Sequence, residues 1–106
     1  MSDLPDDVRI ETVYLVEVPY TAEARDRRPQ LRPEHLSRIA RLMRAGRVIE
    51  AGGCLDFSKA VLLVRAADEA EALALIAEDV YTSGGVWHSP VARAFGRVAP
   101  AEGRAT

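Results

Sequence analysis

The chain has 106 residues, 48% of them hydrophobic and 28% charged, with a formal net charge of −2. That is enough sequence for one domain with one core. The negative balance argues against a dedicated nucleic-acid binder, and no apolar run is long enough to span a membrane.

Residues 1–10, MSDLPDDVRI, are acidic and lack an apolar stretch, so they are expected as a flexible tail and not as a secretory signal. The folded domain is expected over 11–99, with 100–106 as a C-terminal tail. TVYLVEV (12–18) is β-branched and aromatic and ends at Pro19, which predicts a strand. Residues 19–32 are polar, rich in arginine and carry two prolines, so they predict a long loop.

Pro33 then suits the first position of a helix, where its missing N–H costs nothing, and Glu34 adds a favourable charge to the first turn. Leu36, Ile39, Ala40 and Met43 follow at helical spacing as the predicted buried stripe, with Arg38, Arg41 and Arg44 off it. Gly46 should end that helix. RVIEAG (47–52) predicts a short strand broken by Gly52-Gly53, and AVLLV (60–64) the next. Asp68 is placed to cap a second helix, with Glu71 completing a capping-box-like arrangement and Ala70, Leu73, Ala74 and Ala77 facing inward. VYTSGGVW (80–87) predicts a loop. From about Val86 to Val98 the chain can form a last strand, irregular or at an edge because of Pro90.

The order β-α-β-β-α-β predicts an α+β, ferredoxin-like domain: a four-stranded antiparallel sheet with two helices on one face. The other sheet face should alternate apolar and polar residues if it meets water. VYLV and AVLLV do not alternate. The simplest cover is a second copy of the sheet, giving a homodimer of the dimeric α/β-barrel type. The 19–32 loop or the C-terminal tail is the competing cover.

Charge is unevenly spread: residues 25–47 hold eight arginines, and residues 68–79 hold five acids and no base. Two solvated helix faces account for this, and so does a pocket that attracts anions. The single cysteine, Cys54, excludes an internal disulfide and suits a reducing cytoplasm.

Among chemistry-bearing residues, His35 stands near Ile39 and Leu42 at the edge of the predicted stripe, as a packed surface residue or as a general acid–base at a cleft. A catalytic histidine needs an acceptor on its other ring nitrogen, and Glu34, Asp56, Glu78 and Asp79 are all candidates. His88 has no metal-ligand spacing with His35, and no Cys/His/Asp cluster supports a metal site. Cys54 lacks a local partner, and Ser58, Ser83 and Ser89 lack a nucleophile motif. No phosphate-binding loop or dinucleotide fingerprint is present.

RPQLRPEHLSRIARLMRAGRVIEAGG resembles the N-terminal signature of the YciI-like (YCII-related) family. The pattern falls on Arg28, Arg32, Pro33, His35, Leu36, Gly46, Ala51 and Gly52. A second family signature is matched by Asp79, Val80, Tyr81, Gly84, Gly85 and Val86, with Val80 where the family has proline. The resemblance covers about residues 12 to 98. It implies a dimeric α/β barrel and a histidine–aspartate pair in a cleft, carried by His35 and Asp79. It implies proton transfer on a small, anionic or ring substrate, of lyase, isomerase or dehydrochlorinase type, without cofactor. In that reading Arg28 or Arg32 holds a substrate oxygen and Tyr81 lines the pocket or donates a proton. A non-catalytic ligand-binding or accessory dimer is the alternative; haem or metal binding, known in other dimeric α/β barrels, is a third.

Overall fold

The computed structural model describes residues 3–101. The elements are β1 (Val8–Pro19), α1 (Ala24–Arg44), β2 (Val48–Gly53), β3 (Lys59–Val64), α2 (Glu69–Ala77), a one-turn helix α3 (Val80–Ser83) and β4 (Val91–Pro100). The strands form one antiparallel sheet in the order β2-β3-β1-β4. This is the ferredoxin-like arrangement. Pro90 immediately precedes β4, an edge strand, where a missing N–H is tolerated.

Register sorts the strand residues into two faces. Val16 pairs with both Leu62 and Ala92, and Val18 with Ala60. These buried side chains share one core with Ile39 of α1 and Ala72, Leu75 and Ile76 of α2, so both helices cover the same face. Each fully buried Val, Leu or Ile stabilises the fold by about 1.5–3 kcal/mol. On the opposite face Leu15 pairs with Leu63 and Val13 with Phe95. Phe95 is 39% exposed and Val91 47%. Ion pairs flank this apolar band: Glu11 with Arg65 and Arg97, and Glu17 with Lys59 and Arg93.

Several sequence expectations change. β1 starts earlier, because Val8, Arg9 and Ile10 pair with Pro100, Ala99 and Val98. Residues 8–10 therefore belong to the sheet and not to an N-terminal tail, as Pro100 belongs to β4. Residues 1–2 and 102–106 of the two expected tails lie outside the described residues.

The larger correction is α1. Most of the predicted 19–32 loop is helix, which begins at Ala24 and runs through Pro29 and Pro33. Each proline forfeits one backbone hydrogen bond. Both are exposed, so water can take the carbonyls they leave unbonded. The inward stripe is also re-phased: Ala24, His35 and Ile39 are buried and Leu31 and Leu42 pack against the core, while Leu36 and Met43 are 47% and 40% exposed. In α2 the inward residues are Ala72, Leu75 and Ile76, and Ala70, Ala74 and Ala77 face out.

The helix ends follow their sequence signals. Gly46 has φ 78°, its N–H bonds Met43 O at 3.0 Å, and Arg47 N–H bonds Leu42 O at 2.8 Å. This closes α1 with the left-handed cap that glycine adopts without strain. Asp68 accepts from Glu71 N at 2.8 Å and so caps α2.

Gly53, at the end of β2, has a different reason to be glycine: a Cβ there would collide with the hydroxyl of Tyr20. Gly53→Ala is expected to swing the Tyr20 ring off Phe57, against which it packs at 5.2 Å between centroids. Overpacking of this kind costs about 1–3 kcal/mol. Thermal melts check the cost, and an unchanged melt would remove the packing argument.

Candidate active site

Ala72, Leu75 and Ile76 set the inward face of α2, and Asp79 continues it at the same spacing. Asp79 is also the N-cap of α3: its Oδ1 accepts from Tyr81 N at 2.9 Å. The same oxygen meets His35 Nδ1 at 2.8 Å, across 44 residues of sequence. Asp79 is 1% exposed and His35 7%. Of the four acids open to the sequence reading, Asp79 is the one against the imidazole. Glu34 is exposed, Asp56 caps its own turn through Ser58 N, and the largely exposed Glu78 lies beside Arg38.

Burial by itself would push the Asp79 carboxyl up. The His35 hydrogen bond, the Tyr81 amide and Arg38 outweigh it and hold the group below its usual range. An ionised Asp79 accepts, so Nδ1 of His35 carries the proton it donates. Nε2 has no protein partner among the described residues and is not among the fully enclosed unpaired atoms, and His35 lines a cavity. Nδ1 is thus committed to Asp79, and Nε2 is the ring nitrogen left for that space.

The cavity measures about 230 Å³. Arg28, Arg32, His35 and Ile39 of α1 form one wall, and Ala51–Gly53 of β2 with Leu62 of β3 form the other. Tyr20, Phe57, Tyr81 and Trp87 supply aromatic surface. Among the described residues no carboxylate lines it, since Asp79 stands behind His35. The imidazole stacks on Tyr81 at 3.7 Å and 10° between planes, and meets Trp87 edge-on at 5.1 Å. Burial raises the Tyr81 phenol; Arg28 and Arg32 pull it the other way without cancelling that rise. Tyr81 thus stays a protonated hydrogen-bond donor at neutral pH.

The hairpin between β2 and β3 is held over the cavity by Phe57, which adopts φ 62°, an uncommon conformation for a bulky side chain. Its ring takes the guanidinium carbons of Arg25 at 4.2 Å and Arg28 at 4.5 Å. This contact positions Arg28 at the mouth.

His35, Asp79, Arg28, Arg32 and Tyr81 thus come together around one cavity. No family profile matches the chain, and no curated protein matches it. The exposed His88 meets Ser89 Oγ through its ring and does not line the cavity, while the exposed Cys54 sits at its rim. Among the described residues no three His, Cys, Asp or Glu side chains converge as a metal set, and no helix is long and apolar enough to cross a membrane.

The sequence reading missed Tyr20, Phe57, Trp87 and Arg38. Arg38 donates to Asp79 Oδ2 at 2.8 Å and to Leu75 O at 2.8 Å. The signal for it was its place one turn after His35 on the same helix face, once His35 is put inside the stripe. No local motif marks the aromatic three, which converge from separate connections.

Proposed function

We propose that the protein is a YciI-like, cofactor-independent acid–base catalyst, acting as a cytoplasmic homodimer on a small anionic ring compound. The observation that carries this is a buried imidazole held at Nδ1 by Asp79 and lining a cavity with two arginines and, among the described residues, no acid. The substrate's carboxylate or enolate oxygen binds Arg28 or Arg32 through a charge-assisted fork. Nε2 then takes a proton next to a carbonyl, or assists departure of a leaving group, while Asp79 stabilises the imidazolium that forms. Tyr81 O–H donates to the oxygen on which charge develops. The aromatic walls take the flat faces of the ring. A second copy packs on the open sheet face over Val91 and Phe95.

The test is proton exchange. A panel of small unsaturated ring carboxylates and lactones is incubated with the protein in D2O and followed by NMR. Exchange of an acidic C–H in at least one compound, inhibited by benzoate, is expected. Ring acids that bind without exchange would favour the non-catalytic ligand-binding module.

A further inference from the structure

The geometry assigns to Arg38 the role of a positioning residue that offsets the pull of Asp79 on the His35 ring and keeps that ring turned toward the cavity. This rests on the acid–base reading above and adds a third member to the pair. A lone carboxylate beside a buried imidazole favours the imidazolium, which has no lone pair to offer as a base. Here Asp79 is shared. Oδ1 serves His35 and the Tyr81 amide, and Oδ2 is taken by Nη1 of Arg38 at 2.8 Å. Nη2 of Arg38 is anchored on Leu75 O, at 2.8 Å, so the guanidinium fork ties the last turn of α2 to the carboxylate. That orientation also keeps Oδ1 aimed at Nδ1.

The charges around His35 support the assignment. Among the described residues Asp79 is the one carboxylate in contact with it, and Tyr81 stacks on it. Arg28 and Arg32 share its cavity, which Tyr20 and Cys54 also line. Glu78 lies beyond Arg38, 3.6 Å from Nη2, and is largely exposed, so water screens it. Arg38 is thus the cation that offsets Asp79 from behind, with a side chain only 16% exposed.

The test reads the ring directly, without any substrate. Proton–nitrogen correlation spectra of protein carrying 15N-histidine report each imidazole's tautomer and titration midpoint, with the exposed His88 as internal control. Arg38→Met is expected to raise the His35 midpoint by about one pH unit, a tenfold change in proton affinity. Arg38→Lys is expected to restore most of it. If Arg38→Met does not fold, Asp79→Asn and the double variant Asp79→Asn/Arg38→Met replace it, since the double removes both buried charges. The double variant's midpoint is then expected above that of Asp79→Asn alone. Equal midpoints with and without Arg38, beside a midpoint that moves in Asp79→Asn, overturn the role of Arg38 and leave the pair intact. A midpoint unmoved by Asp79→Asn overturns the pair itself, and this inference with it.

Discussion

His35→Ala is expected to lower turnover by about 10²–10⁴-fold, the range that general acid–base catalysis supplies, with fold and oligomeric state unchanged. The structure separates these two outcomes. His35 makes one hydrogen bond, through Nδ1, to an oxygen that also accepts from Tyr81 N, while Arg38 holds the other oxygen. Removing the imidazole leaves Asp79 still paired, so no buried charge is stranded. Initial rates on a compound that exchanges its proton, together with sedimentation and circular dichroism, provide the check. Activity within a few-fold of wild type would end the claim that this ring moves the proton.

Asp79→Ala should do the opposite: it strikes stability as hard as activity. It strips the acceptor from His35 Nδ1, Tyr81 N and Arg38 Nη1 together. Breaking a buried charge pair by removing one partner costs about 3–5 kcal/mol. The pH dependence should change as well. The folded-state pKa of Asp79 is depressed, so its stabilising contribution is present above the unfolded value and lost as pH falls through the folded one. Wild type should therefore lose stability below about pH 4, and the difference between wild type and Asp79→Ala should shrink there. Glu11, lowered first by its Arg65 hydrogen bond, and Glu17, lowered first by Lys59, add to acid loss in both proteins and drop out of that difference. Urea unfolding at pH 7 and pH 3 measures it. A pH-independent difference would mean that Asp79 acts through shape and not charge.

The order of the four strands and two longer helices was readable because strands of β-branched residues and a cap such as Asp68 obey local rules, whereas the one-turn α3 fell inside the expected 80–87 loop. What failed was the start and phase of α1. Pro29 looks like a breaker and Pro33 like a first helical residue, and nothing local says that both would sit inside the helix and point to water. With the helix begun too late, Leu36 and Met43 looked inward because they are apolar. The true stripe runs through His35, with the half-buried Arg28 and Arg38 beside it. A stripe that lines a site breaks the apolar pattern that reveals stripes. The pair itself came from resemblance, since periodicity left four acids open. Arg38 stayed hidden because an arginine outside the supposed apolar face looks solvated, whereas here its head turns inward to Asp79.

The stacking of His35 between Tyr81 and the edge of Trp87 has a stereochemical consequence. If His35 is the base proposed above, a heterocycle wedged in this way would not flip within a turnover, and the nitrogen that abstracts a hydron would also be the one positioned to deliver it. Migration of that hydron along a bound molecule would then be suprafacial, with part of an isotopic label retained and never lost to bulk solvent.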